Sequence, residues 1–198
     1  MASKFTPPTK EELRTARNLL INERPRAAAV MAAAWVDDGL RALLRAYLGR
    51  ESKLAEAVLA ENGPLGTFST RIKISFLLGL IGEPFRRDLD AIRRVRNDFA
   101  HVRTRVSFET EWIRRLVTSL LFGQMLEALW PDRYSTQHKF IATAYRAAEI
   151  LIVAADKMNP PPVNPVEAQL MEIGDRAELS LFTEILDAMD QSHDLEHS

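Results

Sequence analysis

The sequence predicts an all-α protein: a bundle of six to seven helices over residues 1–157, then a proline linker and an acidic tail helix over residues 158–198. Three observations predict it. Apolar residues recur at helical spacing along most of the chain, and no alternating strand pattern persists. Hydrophobic residues make up 46% of the 198 residues, enough for a core, while 27% are charged, which argues against a membrane span and against wholesale disorder. Prolines at 160, 161, 162 and 165 then interrupt any continuous helix, and Leu179, Phe182, Ile185, Leu186 and Met189 resume helical spacing beyond them.

The first helix starts at Thr9-Lys10-Glu11-Glu12, where Thr9 and Glu12 have the spacing of a capping box, and runs to about Glu23. Pro25 suits the first turn of a second helix that continues to Leu48 and ends at Gly49. Ser52 to Ala60 is a short third helix. Asn62-Gly63-Pro64-Leu65-Gly66 reads as a loop, and Thr67 or Ser69 caps a fourth helix running to Leu80 and broken by Gly82. The fifth spans about Glu83 to Val102. A sixth extends from about Glu109 to Leu129, stopped by Trp130-Pro131, and a seventh from about Ser135 to Lys157.

Several function classes are excluded by composition. The best apolar run, Ala27 to Val36, stops at Asp37, too short for a membrane span. There are no cysteines, so disulfides and thiolate zinc sites are ruled out. The first residues lack the apolar stretch of a secretory signal, which points to the cytoplasm. The net charge of −1 hides an asymmetry, with residues 1–164 carrying +7 and residues 165–198 carrying −8. A basic body attracts polyanions, so weak, non-specific nucleic-acid binding is expected, with the acidic tail competing for the same surface. Solvated faces chosen for solubility explain the same asymmetry equally well.

The fifth helix is the most informative stretch, with seven arginines between Arg86 and Arg105. On a helical projection Phe85, Leu89, Ile92, Val95 and Phe99 share one apolar arc. Arg96 falls inside that arc, where a charge must be paired or face a polar cleft. Asn97 and His101 lie away from it. On the second helix Val30, Ala33, Asp37, Leu40, Leu44 and Tyr47 form an apolar seam that contains Asp37, while Asp38 turns outward. Asp37 and Arg96 therefore have complementary problems and are expected to face each other, directly or through water, in a polar cluster with Arg93. Two readings stay open: a bundle-stabilising ion pair, or an acid that orients a substrate-facing arginine.

The run from Gly63 through Thr67, Ser69 and Arg71 to Lys73, then Leu80-Ile81, then Asp90 to His101, resembles the bacterial mannitol operon repressor (MtlR-like) family. The likeness covers roughly residues 25–125 and is strongest over 63–101. It implies an all-helical cytoplasmic regulator, a homodimer, acting through protein partners rather than through a helix-turn-helix. Arg96 to His101 also fits, more loosely, the Arg-x4-His signature of the HEPN superfamily. That resemblance implies a metal-independent ribonuclease in which His101 acts as general acid or base, Arg96 stabilises phosphorane-like charge and Asn97 orients groups. Arg96 and His101 sit about 140° apart on an ideal helix, so one narrow face cannot display both.

The remaining signals are weaker. Thr67, Ser69 and Arg71 at a helix start either hold an anion or simply cap the helix. No metal site and no cofactor are called for: His101 and His138 are isolated, and His193-x3-His197 lies in the tail. Trp35, Trp112 and Trp130 read as core. The apolar Gly79 to Pro84 turn argues against a DNA-reading helix. A non-catalytic interaction module that uses its tail helix is a third reading beside the regulator and the ribonuclease.

Overall fold

A computed structural model describes residues 5–49, 53–101 and 106–159. Among these residues there are eight helices and no strand: α1 (Lys10–Leu20), α2 (Pro25–Leu48), α3 (Lys53–Leu59), α4 (Phe68–Leu77), α5 (Glu83–His101), α6 (Glu111–Ser119), α7 (Leu121–Leu129) and α8 (Thr136–Lys157). The protein is an all-α helical bundle. The expected proline linker and acidic tail helix lie outside the described residues.

Local chemistry sets most helix starts. The Thr9 hydroxyl accepts from the Glu12 amide and the Glu12 carboxylate answers the Thr9 amide, a complete capping box for α1. Thr67 caps α4 through the Thr70 amide and Ser135 caps α8 through the His138 amide. Pro25 occupies the first turn of α2, where its missing N–H costs nothing. The fourth helix ends earlier than its apolar spacing predicts. Gly79, at φ 71°, takes the left-handed position, and the Gly79 and Leu80 amides donate back to the Phe76 and Ser75 carbonyls. The stop is therefore Gly79 rather than Gly82.

At the centre of the bundle α2 packs along α8. Small residues permit the close approach: Ala28, Ala29, Ala32 and Ala33 are buried on α2, as are Ala144, Ala147 and Ala148 on α8. A Cβ added to Gly39 would lie 3.0 Å from the Leu151 Cβ. α5 lays Leu89, Ile92, Val95 and Phe99 into the same core. Phe108 sits between Phe99 and Phe140, at ring-centroid distances of 4.8 and 5.4 Å, joining α5 to α8.

One expected helix is two. Leu120 takes an extended conformation (φ −64°, ψ 135°) and separates α6 from α7. It is fully buried, and Asp88 of α5 accepts the Leu121 amide at 3.1 Å, capping α7 from another helix. Gly123 then approaches α6 so closely that a Cβ there would stand 2.6 Å from the Val117 carbonyl oxygen. The tryptophans also differ from expectation. Trp35 packs against the core, but Trp112 and Trp130 are 40% and 43% exposed, because α6 and α7 turn their outer faces to solvent.

Candidate functional site

The middle of α2, the start of α4 and the C-terminal half of α5 line a polar cavity of about 440 Å³. α2 contributes Asp37, Asp38 and Arg41 to its wall. The entry and first turn of α4 contribute Thr67, Ser69 and Arg71, and α5 contributes Arg93, Arg96 and Asn97. One cavity thus gathers the expected polar cluster and the expected anion-binding residues, which the sequence treated as separate. His101 is the last residue of α5, and its side chain lies outside what the structure describes.

The loop before α4 holds its residues at the rim through tight backbone packing. The Leu65 amide donates to the Val58 carbonyl, and the Gly66 amide to that of Gly63. A Cβ on Gly63 would come within 2.3 Å of the Ala57 oxygen, and one on Gly66 within 2.2 Å of the Glu61 oxygen. Only glycine fits at either position.

Asp37 is paired, but with a different arginine from the one expected. Arg71 Nη1 donates to Asp37 Oδ1 at 2.6 Å, and Arg71 Nη2 donates to the Leu59 carbonyl at 3.2 Å. The Arg71 residue is 5% exposed, so one guanidinium ties α4 to α2 and to the C-terminal end of α3. Arg96 instead donates Nη1 to Asn97 Oδ1 at 2.9 Å, and no carboxylate among the described residues lies within ion-pair distance of it. Arg93 pairs along its own helix with Asp90 at 3.3 Å. The cause is geometric. Arg71 projects from the first turn of a helix crossing the Asp37 seam, a placement that a projection of α2 and α5 alone cannot reveal.

Asp38 was expected to face outward, yet it is half-buried and lines the cavity beside Asp37. Burial pushes its carboxyl above the ordinary value, and the neighbouring Asp37 charge adds to this, against the opposing pull of Arg41 and Arg71. Arg41 stacks over the Phe5 ring at 4.2 Å and reaches Glu56 at 4.0 Å. Asp38 and Arg41 are thus site residues that sequence reasoning missed. The adjacent Asp37-Asp38 pair was the available signal, since two carboxylates about 100° apart on one helix both face inward when helices pack on two sides.

A larger groove of about 600 Å³ lies where α1, α7 and α8 meet. Ile21, Phe122, Leu126, Ile141 and Tyr145 make it apolar, and Arg17 and Arg146 also line it. The outer face of α7 carries Leu121, Met125 and Leu129, which are 49%, 53% and 62% exposed. Among the described residues no helix is long and apolar enough to cross a membrane.

No protein-family model matches the chain, and no curated protein matches it in sequence. Its fold is similar to a chain in the X-ray structure of the MtlR–HPr complex from Escherichia coli, with a TM-score of 0.56 at 17% identity. The match covers 71% of this chain and 98% of that chain. At that identity the likeness is one of fold. The looser HEPN resemblance has no counterpart in these comparisons.

Proposed function

We propose that this chain is a regulatory protein that acts by binding a protein partner, and that it controls transcription through that partner rather than by reading DNA. The observation that carries this reading is the outer face of α7. Leu121, Met125 and Leu129 recur every four residues, exposed, on a helix whose Phe122 and Leu126 line the adjoining groove. Contiguous apolar surface of this kind marks interaction sites. The fold's likeness to a chain from a complex with HPr supports a protein as the occupant. Arg17 in the groove lining favours a partner face that is apolar and carries an acidic group, while Arg146 is already paired with Glu149 at 2.6 Å.

The test is calorimetric titration of the full chain with purified HPr from Escherichia coli and from the chain's own source. Binding is expected, with Met125→Asp and Leu129→Asp each weakening it about thirtyfold, the loss typical of a buried interface anchor. Absence of binding at protein concentrations of about 100 μM, or binding indifferent to both substitutions, overturns the reading.

A further inference from the structure

The geometry points to a second binding site: the cavity between α2, α4 and α5 takes a small organic anion whose other end carries hydroxyl or amine donors. The inference is independent of the partner surface on α7 and uses none of its residues.

Its volume of about 440 Å³ lies within the range of small-molecule sites. The decisive point is which polar groups the protein leaves unanswered. A guanidinium carries five N–H donors. Arg96, half-buried in the wall, makes one side-chain hydrogen bond, to Asn97, and meets no carboxylate among the described residues. Arg71, lining the same cavity, leaves its Nε buried without an acceptor. The Ser69 side chain has no hydrogen-bond partner among the described residues, and of the first-turn amides of α4 those of Thr70 and Arg71 are taken by Thr67 while those of Phe68 and Ser69 have no acceptor among the described residues. Arginine, hydroxyl and helix N-terminus therefore converge from α4 and α5 on one region, the arrangement that recognises phosphate or carboxylate.

The α2 wall adds carboxylates. Asp38 is half-buried there with no ion pair among the described residues, Asp37 commits one oxygen to Arg71, Arg41 lies on the same wall, and Glu61 contributes a third carboxylate from the loop before α4. A free anion would find these carboxylates repulsive. A ligand that places hydroxyl or ammonium groups against them satisfies both walls at once. Neither Arg96 nor Asp38 makes an ion pair among the described residues, so each keeps hydrogen-bonding capacity for something else. Phosphate esters and carboxylates share the required anionic chemistry, and the experiment separates them.

The full chain is titrated near neutral pH, by melting temperature and by calorimetry, with glycerol 3-phosphate, glucose 6-phosphate, glycerate, inorganic phosphate and glycerol. At least one of the three hydroxylated anions is expected to raise the melting temperature in proportion to its concentration, and glycerol is expected to do nothing. A stronger response to the esters assigns a phosphate ligand, and a stronger response to glycerate a carboxylate. Arg96→Gln should weaken binding about tenfold or more. Asp38→Asn should weaken the hydroxylated anions but spare inorganic phosphate. Ser69→Ala, a milder change at the same wall, should weaken all anions and serves where Arg96→Gln does not fold. Silence from every anion at about 10 mM overturns the proposal. So does binding unchanged by the folded variants, or inorganic phosphate binding as well as the hydroxylated ligands.

Discussion

Asp37 and Arg71 form the electrostatic joint of the bundle, and separating them tests the packing directly. Arg71→Met removes a residue that is 5% exposed and bonded to both Asp37 and the Leu59 carbonyl. Two unit charges about 4 Å apart attract by about 4 kcal/mol at an effective dielectric near 20. The Asp37 side chain keeps 23% of its exposure, so water competes and the coupling falls to about 2–3 kcal/mol. The lost bond to the Leu59 carbonyl adds about 1 kcal/mol, giving about 3 kcal/mol for the single substitution. In urea that lowers the unfolding midpoint by about 1–1.5 M for a slope of about 2–3 kcal/mol/M. The assay is a double-mutant cycle of Asp37→Ala with Arg71→Met, run beside a cycle of Asp37→Ala with Arg96→Met. The first should show coupling of about 2 kcal/mol and the second less than about 0.5 kcal/mol. Equal couplings, or a larger one to Arg96, would refute the assignment of Arg71 as the partner.

Two further outcomes follow from the same region. The folded Asp38 carboxyl is raised above its ordinary value, so it contributes stability that is fully present below the ordinary carboxylate range and lost as pH rises through the folded value. Asp38→Asn should therefore melt higher than wild type at neutral pH, an advantage that fades towards about pH 3; an advantage growing on acidification would contradict the burial argument. Gly66→Ala should lower stability by about 1–3 kcal/mol because its Cβ meets the Glu61 carbonyl, whereas Gly82→Ala, whose Cβ meets nothing nearer than 3.8 Å, should stay within about 1 kcal/mol by thermal melting.

Much of the site was legible one residue at a time. Arg96 was identified because a charge inside an apolar arc needs a polar surrounding, and it does line a polar cavity. Thr67, Ser69 and Arg71 stood out because they begin a helix after a glycine loop, and all three line the same wall. Their convergence was not legible. Helical projection gives the direction of a side chain relative to its own axis, while the meeting of α2, α4 and α5 depends on how three axes cross. The role of Arg71 is not legible locally, because its partner lies 34 residues earlier in the chain. A projection turns Asp38 to solvent because it assumes one buried face, and α2 has more.

The sequence by itself determined the helical class, the bounds of α2, the cap of α1 and the start of α8, and narrowed the cap of α4 to Thr67 or Ser69. These rest on interactions within a few residues, such as the Thr9–Glu12 box and the proline of the first turn. Tertiary structure decided the division of α6 from α7 and the partner of Asp37. The segment around Leu120 has helical spacing throughout, and its break depends on Asp88 of another helix accepting the Leu121 amide. Burial of Leu120 and the tight seat of Gly123 against Val117 hold that break in place. Local propensity proposes a continuous helix there. The bent chain buries Leu120 and leaves its freed amide hydrogen-bonded, so packing overrides propensity.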